Sequence, residues 1–375
     1  MTFFLKLGIF ILNILYCMLK LFPVQKKVTF ISRQNDVPSV DIHLLSVEIR
    51  EEHPDYKTVI LCRRLKAGFI SKLSYCFHML RQMYHLATSQ VLILDSYSIV
   101  ASVLHHKKKL LIVQMWHSIG TMKKFGYSVL DTVEGSTAKL AKAMKMHANY
   151  DFIFAASENY KAHLAEGFNY PLSKIKIFPL PRVELLKDKK YADSVRIGIF
   201  NEYPELKNKE NILYVPTFRK DEENDLEKAL RELSDMIDYK KYNLIVKTHP
   251  LTDTKIDDTG ALLDRKFNSF DMLFISDYVI TDYSCIIYEA AILKKPVFLY
   301  AYDYDHYMQT RSIYLDYKKE MPGPINENAA GIIRAISEHD YDLKELENFA
   351  AKYVDLKKSH ETEDIVGFIF SEKES

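Results

Sequence analysis

The sequence predicts an α/β protein made of two domains that each contain a parallel sheet. Short apolar runs rich in Val, Ile and Phe alternate with segments of helical period, which indicates parallel strands joined by crossover helices. The alternation breaks at "IFPLPRVELLKDKK", residues 177–190, and then restarts. The chain has 375 residues, which is more than one hydrophobic core usually serves. We therefore expect two α/β domains.

The first domain is predicted to contain the strands "KVTFIS", "KTVILC", "VLILD", "LLIVQMW" and "DFIFAAS", with helices in the stretches 39–53 and 70–88. The second is predicted to contain "NILYVPT", "YNLIVKTHP", "SDYVITDYS" and "KPVFLYAYD". We place the boundary within residues 180–205 and assign residues 1–24 to an N-terminal helix, 25–200 to the first domain and 201–375 to the second. The last helical segments, within 342–372, could cross back onto the first domain. Ligands of open α/β folds bind beyond the carboxyl ends of the strands, so we expect a cleft lined by both sheets.

The first 22 residues are apolar apart from one narrow polar stripe down a helix. The stripe consists of Thr2, Lys6, Asn13, Cys17 and Lys20. It favours an amphipathic helix that lies in the interface of a membrane, with Lys20, Lys26 and Lys27 attracted to anionic headgroups. A spanning helix and a helix buried against the domain remain alternatives. No small-residue cleavage site of a signal peptide precedes the first strand.

Composition excludes several classes of protein. The chain has 51 Lys and Arg against 50 Asp and Glu, so no global charge favours nucleic acid as a partner. Four cysteines without CxxC spacing fit a reducing cytosol and indicate no metal site. Neither GxGxxG after the first strand nor GxxxxGK[ST] anywhere occurs, which argues against ordinary dinucleotide dehydrogenases and P-loop ATPases.

Polar residues that suit a phosphate ligand directly follow four of the predicted strands. After "LLIVQMW" come His117, Ser118, Gly120, Thr121, Lys123 and Lys124, and after "ILYVP" come Thr217 and Arg219. After "LIVK" come His249 and Pro250, and after "YVI" come Thr281, Asp282, Tyr283 and Ser284. Ser284 is predicted to cap the helix that follows, whose free amides suit a phosphate. Together with a guanidinium fork and imidazoles, these loops could bind a pyrophosphate without a metal.

Five motifs in the order "WHSIGTMKKFG", "ILYVPTFRK", "VKTHP", "ITDYSCIIYE" and "MPGPI" resemble the CDP-glycerol glycerophosphotransferase family of teichoic acid synthesis, over roughly residues 20–360. The resemblance implies a GT-B type fold of two facing Rossmann-like domains and a peripheral enzyme on the cytoplasmic side of the cell membrane. The spacing in "WHSIGTMKK" is more similar to the WHAAGxxKKFG form of the primase branch than to the WHGTPLKK form of the polymerases. Cys285 and Glu289 stand where many members carry Ser and Asp.

The resemblance also implies an activity, namely transfer of glycerol phosphate, or in relatives ribitol phosphate, from CDP-glycerol or CDP-ribitol to a lipid-linked saccharide acceptor with release of CMP. It implies His117 as the general base for the acceptor hydroxyl and His249 as the partner of the donor pyrophosphate. The donor-binding residues would be Thr217, Arg219, Thr281, Asp282, Ser284, Cys285 and Glu289. The acceptor-binding residues would be Ser118, Gly120, Lys123 and Lys124. We expect no cofactor and no metal, although Asp303 and Asp305 form a DxD pair that binds a divalent ion in other transferases.

Structural roles compete with each of these functional ones. His117 could be a buried histidine of the fold, Arg219 could pair with Asp221 or Glu222 on the surface, and Glu289 could be a capping or surface carboxylate. At the level of function, the alternatives are a nucleotide-sugar glycosyltransferase or epimerase of the same fold and a non-catalytic nucleotide-binding module on the membrane. Homo-oligomerisation stays open.

Overall fold

The computed structural model of the chain describes residues 2–66, 68–217, 219, 223–248 and 260–374. It divides into two compact units. The first unit comprises Met1–Ser118, Lys124–Glu184 and Asp355–Ser375, and the second comprises Ile119–Lys123 and Leu185–Val354. The division after residue 184 lies within the predicted boundary region of 180–205, but before the assigned domain limit at residue 200. The helix that follows packs in the second unit, where Nε of Arg196 donates to the carbonyl of Phe274 over 2.9 Å.

The first unit contains a parallel sheet of six strands in the order β2-β1-β3-β4-β5-β6. The strands are β1 (Lys27–Ser32), β2 (Lys57–Cys62), β3 (Val91–Leu94), β4 (Leu111–Gln114), β5 (Phe152–Ala155) and β6 (Ile175–Ile177). Every residue of β1 and β3 is buried, as expected for strands covered by helices on both faces. The chain order reverses between β1 and β3, and ligands of doubly wound sheets bind beyond the carboxyl ends at such a point.

The described residues of the second unit form a second parallel sheet of six strands, in the order β12-β11-β10-β7-β8-β9. The strands are β7 (Glu210–Val215), β8 (Tyr242–Val246), β9 (Leu262–Leu263), β10 (Tyr278–Thr281), β11 (Val297–Tyr300) and β12 (Ile325–Asn326). This is the strand order of a Rossmann sheet, with the reversal between β7 and β10. The predicted class, α/β with two parallel sheets, is therefore confirmed.

Helices flank both sheets. They are α1 (Thr2–Leu19), α2 (Val40–Glu52), α3 (Phe69–Thr88), α4 (Ile99–Val103), α5 (Ala138–Ala143), α6 (Glu158–Phe168), α7 (Arg182–Lys187), α8 (Lys189–Glu202), α9 (Glu223–Met236), α10 (Ser269–Met272), α11 (Ile286–Ile292), α12 (Tyr304–Thr310), α13 (Tyr317–Glu320), α14 (Ala329–Ser337), α15 (Leu343–Tyr353) and α16 (Glu361–Glu374). Of the last two helices, which could both cross back onto the first domain, α16 belongs to the first unit. The helix α15 packs in the second unit, where Phe349 stacks on Tyr288.

Apolar side chains from strands and helices form the core of the second unit. Leu230 and Leu233 of α9 pack with Ile332 and Ile336 of α14 against the strands, and all four are nearly inaccessible to solvent. The apolar positions of α14 recur at spacings of three and four residues, so one face of the helix is apolar and covers the sheet. Burial of that face is the main stabilising contribution of the helix.

The helix α1 packs on the first unit through part of its polar stripe. The side chain of Asn13 donates to the carbonyl of Val103 over 3.1 Å and accepts from the amide of His105 over 3.0 Å. The hydroxyl of the buried Tyr16 donates to Nδ1 of His106 over 2.9 Å. The apolar side chains of α1 consequently point away from the unit, and Phe3, Phe4 and Phe10 are among those exposed.

No helix in the described part of the chain combines the length and the apolarity that crossing a membrane requires.

The loop "WHSIGTMKK" is divided between the two units. His117, Ser118 and Lys124 belong to the first, whereas Ile119–Lys123 belongs to the second. Within the second unit, Gly120 lies against Tyr288, and a Cβ at residue 120 would overlap that fully buried ring. The glycine in this motif is therefore explained by the close approach of an aromatic side chain rather than by a turn that needs a positive φ.

We predict that Gly120→Ala lowers the free energy of unfolding by about 1–3 kcal/mol, because an extra carbon in a packed site forces Tyr288 to move. Gly198→Ala is the matched control, since a Cβ there meets nothing within 4 Å in the exposed middle of α8. The control should be neutral or slightly stabilising. Urea unfolding of both variants checks the prediction, and a Gly120→Ala protein as stable as the parent contradicts it.

Candidate functional site

The reversal point of the second sheet brings four of the predicted donor residues together. Thr217 and Arg219 follow β7, and Thr281 and Asp282 lie at the end of the neighbouring strand β10. The carboxylate of Asp282 accepts hydrogen bonds from the amide of Thr217 over 2.9 and 3.1 Å. The two strand ends are thus joined by a carboxylate at the position where ligands of Rossmann sheets bind.

Arg219 is the centre of a buried ion network that also includes Asp282 and Asp303. Its Nη1 donates to Asp282 over 2.9 Å, and its Nε and Nη2 donate to the two carboxylate oxygens of Asp303 over 2.5 and 2.9 Å. Nη1 also donates to the carbonyl of Thr217 over 2.9 Å. The partners predicted for Arg219 as a surface residue, Asp221 and Glu222, lie outside the described residues.

This geometry changes the interpretation of Arg219. The side chain is 4% exposed, and the flat fork of its guanidinium binds the carboxylate of Asp303. Four of its five N–H groups already have acceptors, so at most one remains for a phosphate oxygen without rearrangement. Arg219 therefore holds the ends of β7, β10 and the segment after β11 in place.

Tyrosines cover the ion network. The guanidinium of Arg219 lies 4.6 Å from the ring centroid of Tyr302. Tyr283 and Tyr307 stack at 3.6 Å, and the hydroxyl of Tyr283 donates to Asp303 over 3.2 Å. These rings exclude water from the charges, which strengthens the interactions between them. Tyr302 and Tyr307, which follow β11, thus pack near the guanidinium of Arg219.

The start of α11 differs from the predicted cap. Cys285 occupies the N-cap position without a capping hydrogen bond from its side chain. The hydroxyl of Ser284 accepts from the amide of Ile286 at the long distance of 3.4 Å. Glu289 lies 6% exposed in the same helix, so its interpretation as a surface carboxylate is wrong. The hydroxyl of Thr281 donates to the carbonyl of Val215 over 2.8 Å and has a structural role between the strands.

Lys123 lies with the donor candidates, apart from Lys124. Its backbone bridges to Ile313 of the second unit, and its ammonium lies 5.5 Å from the ring centroid of Tyr307. Burial lowers the pKa of Lys123, and the carboxylate of Asp282 opposes that shift. The pair "KK" therefore contributes one lysine to each unit.

In the first unit, His117 follows β4 and is held at the end of β3. Its Nδ1 donates to the backbone carbonyl of Asp95 over 3.0 Å, since a carbonyl oxygen can only accept. Burial lowers the pKa of His117 to about 4, which the bond to Asp95 opposes. A neutral imidazole with its proton on Nδ1 has a free lone pair on Nε2, which is the form that a general base requires.

Two features of the first unit position His117. Its neighbour Trp116 has φ 66°, a left-handed conformation that is strained for a bulky residue, and its ring lies 4.2 Å from the imidazole and 4.5 Å from Phe125. Asp41 of α2 accepts hydrogen bonds from the backbone amide of Arg182 over 3.0 Å and from its Nε over 2.9 Å. Nη2 of Arg182 also approaches the carbonyl of His117 at 3.5 Å.

Sequence reasoning missed Asp41, Asp95 and Arg182. Asp41 and Arg182 are 141 residues apart, so no local spacing links them. The signals available were an acidic residue directly after the apolar run "VLIL" and an arginine directly after "PLP". Predicted site residues His249 and Pro250 lie outside the described residues. Within the described ranges, no group of three or more His, Cys, Asp or Glu side chains could hold a metal, and Asp305 is exposed while Asp303 binds Arg219.

Comparison with known families decides the identity. The family model described as "CDP-Glycerol:Poly(glycerophosphate) glycerophosphotransferase" matches residues 14–371. The chain belongs to this glycerophosphotransferase family. The resemblance found in its motifs is thereby confirmed.

Several characterised relatives of this glycerophosphotransferase family member are teichoic acid enzymes. The chain is 31% identical to the teichoic acid ribitol-phosphate primase of Bacillus spizizenii, over 94% of this chain and 92% of that protein. It is 26% identical to the teichoic acid glycerol-phosphate primase of Bacillus subtilis, over 78% of this chain and 76% of that protein. The chain is accordingly an enzyme of the teichoic acid phosphotransferase family.

The solved structure of the wall teichoic acid polymerase TagF shares the fold. It superposes with a TM-score of 0.75 at 18% identity, over 100% of this chain and 97% of that one. At this identity the likeness concerns the fold alone.

We predict that Asp303→Asn lowers the free energy of unfolding by about 3 kcal/mol, because it removes one of the two charges that compensate the buried Arg219. Asp305→Asn is the matched control in the same segment, and since Asp305 is exposed its effect should stay within about 0.5 kcal/mol. Chemical unfolding measures both values. Equal stability of the two variants would show that the network is not a stabilising constraint.

We predict that His117→Asn lowers turnover by about 10²- to 10⁴-fold, the usual contribution of a positioned base. The Asn amide can still donate to Asp95, so the fold should persist while the basic nitrogen is lost. Since the pKa of His117 is lowered to about 4, the acid limb of kcat/KM in the parent should fall near that pH instead of near 6.5. The exposed His43→Asn serves as the control with unchanged turnover. Normal turnover in His117→Asn would exclude it as the base.

Proposed function

We propose that this enzyme transfers an alditol phosphate, glycerol phosphate in the first place, from its CDP-activated form to a hydroxyl of a lipid-linked undecaprenyl-diphosphate saccharide. The transfer would release CMP and serve the synthesis of teichoic acid or a related cell-wall polymer. The observation that supports it most directly is the cluster of Thr217, Arg219 and Asp282 at the reversal point of the second sheet, in a member of this family. A Rossmann sheet binds nucleotides at that point.

On the acceptor side, His117 is proposed as the general base. The acceptor hydroxyl must lose its proton while its oxygen attacks the β-phosphorus of the donor. Nε2 of a neutral His117 takes that proton, and the hydrogen bond from Nδ1 to Asp95 stabilises the imidazolium that forms. Ser118 and Lys124, which follow His117 in the same unit, are proposed to bind the acceptor.

On the donor side, the second unit is proposed to bind the CDP-alditol. The bond from the β-phosphorus to the CMP oxygen breaks as the acceptor oxygen bonds, and the negative charge that develops on CMP needs cations nearby. Lys123 and His249 are the proposed partners of that charge. Arg219 acts by keeping Thr217 and Asp282 in position, since most of its N–H groups already have acceptors.

Ribitol is the second candidate alditol, and the comparisons give a specific reason for it. The ribitol-phosphate primase is 31% identical over 94% of the chain, whereas the glycerol-phosphate primase of Bacillus subtilis is 26% identical over 78%. The spacing of "WHSIGTMKK" supports a primase, which adds the first unit, more than a polymerase.

The enzyme is also proposed to be peripheral on the cytoplasmic side of the cell membrane. The exposed apolar side chains of α1 support this location, since a contiguous apolar surface of this kind is rare on proteins that meet only water. Nucleic acid is not a proposed partner.

A donor screen tests the proposed reaction. The full chain is incubated with CDP-glycerol, CDP-ribitol or UDP-N-acetylglucosamine and a short-chain analogue of the undecaprenyl diphosphate acceptor, and released CMP or UDP is measured. CMP release from one CDP-alditol, dependent on acceptor, is the expected result and identifies the alditol. Release of UDP alone would favour a glycosyltransferase. No release from any donor would favour a binding module or an epimerase, which keeps the UDP on its sugar.

The same assay tests the proposal that no metal takes part. Helix amides, Lys123 and His249 would then neutralise the leaving group, so CMP release should persist with excess EDTA. If EDTA abolishes CMP release and magnesium restores it, a metal takes part, and Asp303 and Asp305 are the candidate ligands.

A further inference from the structure

A pocket lined by lysines lies between α1 and α5 of the first unit. Its volume is about 490 Å³, and it is lined by Lys6, Ile9, Lys139, Lys142, Ala143 and Lys145. The lining contains four lysines and no acidic residue. Like charges held this close together repel each other, so an anion in the pocket would relieve the repulsion.

The lysines come from two elements that converge on the pocket. Lys139 and Lys142 are three residues apart and therefore share one face of α5, while Lys145 follows the end of that helix. Lys145 also donates to Nε2 of His105 over 3.2 Å, which fixes its position. Lys6 faces them from α1, one turn away from Phe3 and Phe10.

An apolar surface borders the pocket. Phe3, Phe10 and Met18 on α1 are 72%, 61% and 62% exposed. The helix α3 packs against α1 and extends this surface, with Ile70 and Phe77 exposed at 83% and 67%. Most of the exposed large apolar side chains of the described residues lie in the segments 3–22 and 69–80. Exposed apolar side chains that cluster in this way indicate contact with a membrane or a protein partner.

We propose that the lysine pocket binds the phosphate group of an anionic membrane phospholipid while the apolar surfaces of α1 and α3 enter the acyl region. Charge complementarity supports this occupant, because a phospholipid supplies a phosphate and hydrocarbon at adjacent positions. A soluble anion would fill the pocket and leave the bordering phenylalanines in water, and an acidic protein would need an apolar surface of matching shape. The proposal rests on the proposed location at the membrane and adds a headgroup site to it.

Cosedimentation of the full chain with lipid vesicles tests the site. One set of vesicles is phosphatidylcholine alone, and the other also contains phosphatidylglycerol. The variant Lys139→Glu/Lys142→Glu removes two of the pocket lysines, and Lys228→Glu/Lys344→Glu makes the same change of charge at exposed lysines of the second unit. Since each lysine near an anionic surface contributes about fivefold in partitioning, the pocket variant should bind phosphatidylglycerol vesicles at least about tenfold more weakly than the parent.

The control variant should bind as the parent does, and Lys139→Arg/Lys142→Arg should retain binding because the charge is kept. Binding of the pocket variant equal to that of the control would overturn the headgroup site. If inorganic phosphate binds the parent but not the pocket variant while both bind the vesicles equally, the pocket is a free-phosphate site instead. If the parent binds neither kind of vesicle, both the site and the membrane location are wrong. CMP release with a water-soluble acceptor should be unchanged in the pocket variant, which separates this proposal from that of the reaction.

Discussion

The second unit depends on the neutralisation of one buried guanidinium. Arg219 is almost inaccessible to solvent and donates to carboxylates from two different strand ends, Asp282 after β10 and Asp303 after β11. A buried charge without partners would cost several kcal/mol, so the three segments are constrained to meet. Desolvation offsets much of the attraction within such a network, so its net contribution to stability is small, although removal of one partner is costly. The three segments meet at the carboxyl edge of the sheet, at the point where the strand order reverses.

In the first unit, the corresponding buried side chain is the neutral imidazole of His117. His117 is kept uncharged by burial, and its hydrogen bond to the backbone of Asp95 selects the tautomer. The ion pair between the buried Asp41 and the half-buried Arg182 joins α2 to the start of α7 and places a guanidinium near the carbonyl of His117. The strained backbone of Trp116 fits this arrangement, since strain persists only where the surroundings fix a side chain in position.

The strands and the family were predictable from the sequence because both depend on local pattern. Buried parallel strands such as β1 and β10 are continuous apolar runs, and the motifs are short and ordered. The two-residue strands β9 and β12 are too short to leave a pattern. Partners distant in the chain were not predictable, since the choice of Asp303 as the acceptor for Arg219 depends on how β7 and β11 are placed in the sheet.

Two other failures of prediction have the same origin. The division of "WHSIGTMKK" between the units follows from the packing of Gly120 on Tyr288, a contact 168 residues away that the motif itself does not encode. For α1, the sequence showed the polar stripe, but it did not show that part of this stripe faces the rest of the first unit. Asn13 and Tyr16 turn toward the unit, where the carbonyl of Val103, the amide of His105 and the imidazole of His106 are their hydrogen-bond partners. The apolar side of the helix is then left outward, where only an apolar environment can offset the cost of its exposure.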